Sequence, residues 1–207
     1  MNRDRIESVQ QRTQRYWYED GLTEAATGCL FVLVGLLFFV EASAPPGSLL
    51  ASFSAIGLPV LLVLGFWIGK HAVAFLKERL TYPRTGYVAY RRTPVSRRAL
   101  TGIVAVVVAA LAVQLLRVSQ TPVNWIPTLD GVVIGIFLLY MGYKLGLVRF
   151  YALAVVSALI GLSAALGGLD ETMGSAAYFA GMGVALLVSG GLTLWSYLSQ
   201  TQPPAEG

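Results

Sequence analysis

Charge, cysteine and histidine are all scarce in this chain, and each scarcity excludes something. Of 207 residues only 13% are charged, against about 25% in ordinary soluble domains. A soluble fold of this size would have too little polar surface to face water. The single cysteine, Cys29, has no second thiol in the chain, so no intramolecular disulfide framework exists. It lies in an apolar run, where a thiol acts as a small hydrophobe. The lone histidine, His71, excludes a multi-histidine metal centre. No phosphate-cradling Walker loop, HExxH, CxxC or GxSxG elbow occurs in the sequence, and no set of acids converges as metal-dependent phosphoryl transfer needs. The expectation is a non-enzymatic protein without a cofactor or metal.

What is abundant is apolar sequence. Hydrophobic residues make up 56% of the chain and mean hydropathy is +0.65. The apolar residues gather into six stretches, at 22–40, 51–69, 100–116, 127–146, 150–167 and 175–197. Each is near the ~20 residues a helix needs to cross the hydrocarbon core, and none alternates as a barrel strand does. In lipid a spanning backbone must satisfy its own hydrogen bonds, which helices do. The pattern predicts an all-α polytopic membrane protein: one six-helix domain over 21–198, a segment 1–20 before it and a disordered tail at 199–207. Only a few residues separate the fourth and fifth runs, so the pattern alone does not decide whether these are two full crossings.

The N-terminal segment NRDRIESVQQRTQRYWY places Ile6, Val9, Thr13 and Tyr16/Trp17 along one side of a helix. This suits a short amphipathic helix on the membrane surface, its aromatic cluster at headgroup level; a frayed polar leader fits equally. Ala42-Ser43-Ala44 resembles a signal-peptide cleavage site. Pro45 after it, and the acids before the run, argue that the first span is retained.

Positive charge is sharply partitioned. Fourteen of the 15 Lys and Arg lie in alternate connections: the N-terminal segment, the second connection and the fourth; the third has only Arg117. The positive-inside rule then places both termini and the loop 70–98 in the cytoplasm. Residues 77–98 alone carry seven cations against the single acid Glu78. Their core TYPRTGYV holds Pro83 and Gly86, which favour a turn, flanked by β-favouring Thr81, Tyr82, Tyr87, Val88 and Tyr90. Arg84 and Tyr87 at the turn, with Arg91, Arg92, Arg97 and Arg98 near the headgroup plane, are the candidate residues for binding anionic phospholipid or a cytoplasmic or membrane protein partner. Simple topological anchoring is the plainer reading. Nucleic acid is not expected, because lipid phosphates would compete for so short a patch.

The stretch KERLTYPRTGYVAYRR, with RYWYEDGL before the first span, resembles small multi-pass bacterial membrane proteins of uncharacterised function that carry a TYPRTGYV-type cytoplasmic loop. The likeness rests on these two stretches. It implies a bacterial inner-membrane setting and transfers no catalytic or binding residue.

A second candidate set lies in the spans. Asp20, Glu24, Thr27, Gly28, Phe31 and Gly35 share one helical face, a polar and small stripe suited to a bundle interior. A carboxylate in a membrane is expensive and is usually paired or functional. Lys144 and Arg149 are the expected partners of Glu24, as a structural pair or in a cation-coupled step. Asp130 follows Pro127 and Thr128 at a helix start, where the dipole favours an acid, and Arg117 is placed to neutralise it. Asp170 and Glu171 have the same explanation. A transporter or channel using Glu24 and Asp130 is thus the alternative to an accessory or regulatory membrane module presenting the basic loop. Small residues four apart, as in Gly65/Gly69, Gly131/Gly135, Gly142/Gly146, Ser157/Gly161/Ala165 and Ala177/Gly181/Ala185, predict close helix approach and leave oligomerisation open. Asp-Gly before both the first and the fourth runs hints at an inverted repeat, although a chance match explains it better.

Overall fold

The computed structural model describes residues 18–45, 48–81 and 125–200. All regular structure among them is helical: α1 Leu22–Ser43, α2 Leu49–Leu76 continuing into a π-helical turn Lys77–Thr81, α3 Trp125–Leu145, α4 Val148–Leu166 and α5 Glu171–Gln200. Among the described residues, five helices are long and apolar enough to cross a membrane. Each matches one of the expected runs. The third run, 100–116, lies outside the described residues, as do the N-terminal segment 1–17, most of the basic loop and the end of the tail.

One boundary moves substantially. The second helix was expected to end near residue 69, yet it continues through Leu76, and the π turn carries it to Thr81. The first twelve residues of the stretch 70–98 are therefore helical rather than loop. The reason is packing: Val73 and Lys77, four residues apart, are both buried, so this last part of the helix has a face to bury. The fourth and fifth runs are two separate helices. Only Gly146 and Leu147 join them, with Gly146 at φ 67° donating its N–H to the Gly142 carbonyl at 2.9 Å. This left-handed position closes an antiparallel α3–α4 hairpin without the steric penalty a β-carbon would bring.

The backbone contact that organises the bundle is between α1 and α5, which run antiparallel. Gly21, Gly28 and Gly35 recur every seven residues, and so do Ala176, Gly183 and Gly190. The two series meet in reverse order. A β-carbon on Gly28 would lie 2.8 Å from the Gly183 carbonyl oxygen, and one on Gly183 would lie 2.7 Å from the Val32 nitrogen. A β-carbon on Gly190 would lie 2.7 Å from the Ala25 nitrogen, and one on Gly35 would lie 2.6 Å from the Ala180 nitrogen. A seven-residue repeat holds one seam against a partner along a gently supercoiled pair. Here the seam is glycine, so backbone rests on backbone, the contact that drives association in lipid. Of the four-residue spacings noted in the sequence, Gly131/Gly135 and Ser157/Gly161 serve the α3–α4 pair, where Gly131 meets Ser157 and Gly161, while Gly65 faces Leu30 of α1 and Gly181 faces Ile160 of α4. Gly69 has nothing within 4 Å, and Ala177 is exposed.

Around this pair, α4 and the α3 hairpin pack on one side of α5, burying Leu138, Phe150, Leu153, Tyr178, Met182 and Leu186 together. Among the described residues, the substantial packing of α2 is against α1. Large apolar side chains face outward along every helix: Phe66 is 72% exposed, Ile56 69% and Val133 61%. Monomeric water-soluble proteins do not display such continuous apolar surface; a multi-pass membrane protein does. Tyr140, Tyr143 and Trp195 are exposed toward one end of the bundle and Trp125 toward the other. Along α3 that separation is about 27 Å at 1.5 Å per residue, close to a hydrocarbon core flanked by aromatic belts.

Candidate functional site

The polar side chains gather at the two ends of the bundle. At the first end the amino end of α1, the carboxyl end of α2, the amino end of α4 and the second half of α5 converge. The sequence placed Asp20 and Glu24 one turn apart on one face, and both are buried, at 1% and 3% exposure. Gly21 sits between them at φ 75°, turning the chain so that Asp20 Oδ1 accepts the Leu22 N–H at 3.2 Å. Asp20 Oδ2 meets Lys77 Nζ at 2.8 Å, and the lysine is itself 1% exposed.

Glu24 pairs with Arg149 through Oε1, and Ser189 donates to Oε2 at 2.9 Å. Arg149 reaches further, donating from Nη2 to the Tyr18 carbonyl. The Tyr18 ring stands edge-on to Phe150 at 6.1 Å. Two acids and two bases thus form a quartet at the meeting of three helix ends, with Ser189 of α5 as a fourth contributor. Of the two partners expected for Glu24, Arg149 is the one used. Lys144 is exposed and lies over the Tyr140 ring at 6.0 Å. The sequence reading missed the role of Lys77, which it counted among the loop cations. Its phase four residues after Val73 was the available signal. Nothing in the sequence marks Ser189 as a partner.

At the opposite end Asp130 accepts a hydrogen bond from Ser175 at 3.3 Å. Its expected neutraliser, Arg117, lies outside the described residues. Deeper in, Ser157 donates to the Gly131 carbonyl at 2.9 Å, which leaves the Tyr178 hydroxyl to donate to Ser157 at 2.8 Å. This chain ties α3, α4 and α5 together. Between it and Ser189, the same side of α5 carries the buried Met182 and Leu186, so an apolar layer separates the two polar ends. Tyr178→Phe is expected to destabilise the bundle by about 1 kcal/mol, because the interhelical bond is lost while Ser157 keeps its carbonyl. Thermal unfolding in detergent measures this, and a much larger loss would mean the hydroxyl has a role beyond packing.

His71 donates from Nδ1 to the Trp67 carbonyl at 2.8 Å and packs on that ring. Cys29 is exposed on α1. Among the described residues no group of three or more His, Cys, Asp or Glu is placed to hold a metal ion. Arg84, Tyr87, Arg91, Arg92, Arg97 and Arg98 lie outside the described residues. No protein-family model matches this chain, nor does any curated protein or solved structure.

Proposed function

We propose that this chain is a non-enzymatic accessory or regulatory module of a bacterial inner membrane. It crosses the bilayer six times with both termini in the cytoplasm, and presents the basic stretch after α2 to anionic phospholipid headgroups. The observation that carries this reading is the burial of Lys77 against Asp20. The root of the basic stretch is clamped to the bundle at the end where Tyr140, Tyr143 and Trp195 lie exposed. On this reading the basic stretch meets the membrane from that end. Each basic residue there contributes about 1 kcal/mol of attraction to an anionic leaflet.

The helix directions support the sixth crossing. The carboxyl end of α2 lies beside the amino end of α1, at the quartet. The carboxyl end of α3 runs into Arg149, also at the quartet, so Trp125 starts α3 at the opposite end. The chain between 81 and 125 must cover that distance, about 32 Å for a helix of this length, and 100–116 is its long apolar run. Orientation follows from the cations collected at the quartet end and beyond it. Transport is the weaker reading, because both oxygens of Glu24 are engaged by Arg149 and Ser189.

Two measurements test the proposal. With Cys29 replaced by Ser, a cysteine at Tyr87 should be labelled by an impermeant maleimide only in opened cells, and one at Gly168 in intact cells. Labelling of position 87 from outside would overturn the orientation. Replacing Arg84, Arg91, Arg92, Arg97 and Arg98 together by Ala should lower the anionic phospholipid retained on purification by well over tenfold, given ~1 kcal/mol for each. Unchanged lipid with loss of a co-purifying protein would make the ligand a protein. If neither changes, the reading fails.

A further inference from the structure

We propose that the outward face of α3 seats one anionic phospholipid. Its phosphate is held by Lys144 and the hydroxyls of Tyr140 and Tyr143, and its acyl chain lies along Val133, Ile136 and Phe137. This site is separate from the basic stretch after α2 and does not depend on it.

Three observations converge on this face. First, the six residues share it. With 3.6 residues per turn they fall within about 120° of one another around the helix, and all six are exposed, Tyr143 at 76%. On the opposite side Gly131, Gly135 and Gly142 are buried against α4, so packing fixes the helix that presents the stripe. Second, the order along the stripe matches that of a lipid. The apolar residues come first, then the two tyrosines, then the ammonium. Val133 and Lys144 are eleven residues apart, about 16 Å at 1.5 Å per residue, which is half of the ~30 Å hydrocarbon core and so the depth of one leaflet. Third, the charge is complementary. Lys144 lies in the last turn of α3 with Nζ 6.0 Å from the Tyr140 ring centroid, which draws the ammonium over the stripe. The two buried carboxylates at this end are answered by other bases, Asp20 by Lys77 and Glu24 by Arg149. Arg149 turns inward, whereas Lys144, on the other side of the hairpin turn, faces out. A compact ammonium with rotatable donors suits a phosphate, and an exposed tyrosine places its ring in the apolar layer and its hydroxyl among the headgroups.

The test uses the full chain with Cys29 replaced by Ser, carrying one bimane fluorophore on Val133→Cys or, as a control, on Val184→Cys of α5, which is also exposed. Each protein is reconstituted in phosphatidylcholine vesicles. Quenching by a small fraction of brominated-chain phosphatidylglycerol is compared with quenching by brominated-chain phosphatidylcholine. At position 133 the anionic lipid should be favoured by about fivefold, the weight of one basic residue at an anionic leaflet; at position 184 the two lipids should quench alike. Lys144→Gln should abolish the preference and Lys144→Arg should keep most of it. Tyr140→Phe with Tyr143→Phe should reduce it. Replacing the five arginines of the basic stretch should leave it in place, so this site and the proposed function fail separately. Equal quenching by the two lipids at position 133, or a preference that survives Lys144→Gln, would overturn the site. A preference lost with Lys144 but untouched by the tyrosine changes would reduce the contact to charge attraction and overturn it too. Quenching by neither lipid would show that a second copy or another protein covers this face in place of lipid.

Discussion

Replacing Gly28 or Gly183 with Leu should prevent α1 and α5 from closing, and the protein should not be recovered as a folded bundle in mild detergent. A β-carbon at either position already falls 2.7–2.8 Å from backbone atoms of the other helix. Backbone cannot rotate aside as a side-chain tip can, so the helices must separate along the whole seam. Even Gly28→Ala or Gly183→Ala should destabilise by about 1–3 kcal/mol, the usual range for overpacking a close contact. Gly69 and Gly191 provide the internal control, because nothing lies within 4 Å of a β-carbon there. Ala at those positions should change stability by no more than about 0.5 kcal/mol in the direction of loss, and better helix propensity favours a small gain. Thermal unfolding followed by helical circular dichroism separates the two classes. Equal effects at seam and control positions would mean that the glycine seam does not organise the bundle.

The second large effect is expected at the quartet. Glu24→Leu leaves Arg149 charged against an apolar wall, and Arg149→Met leaves Glu24 charged at 2% side-chain exposure. Breaking one partner of a buried pair usually destabilises by about 3–5 kcal/mol. Arg149 is 21% exposed and can recover some hydration, so the lower half of that range is expected for Glu24→Leu. Glu24 has no such route, which makes Arg149→Met the more damaging single change. The double variant should regain most of the loss, since two apolar residues need neither charge nor partner. A double-mutant cycle reads the coupling directly. Additive losses would show that the pair does not act as a unit.

Much of the architecture was legible because lipid imposes a simple rule. A spanning segment needs about 20 apolar residues with an internally bonded backbone. Composition and run length alone therefore located five of the helices now described, and the sixth run lies outside them. The placement of Asp20 and Glu24 on one buried face was also legible, from the 100° step between helical residues. The α1–α5 seam was hidden in plain view. Its seven-residue spacing of small residues is in the sequence, but so are several four-residue spacings, which serve other contacts such as Gly131 on Gly161.

The sequence by itself determined that the chain is helical and apolar, where its runs begin, and that positive charge collects in alternate connections. These are properties of single segments meeting a solvent. Only the tertiary structure decided that Lys77 belongs to a buried pair rather than to a loop, that Arg149 and not Lys144 answers Glu24, and that Ser189 completes the site. Each of those depends on which helix ends meet. Residues 20, 77, 149 and 189 are brought together by the packing of four separate helices, and spacing along one chain carries no record of that meeting.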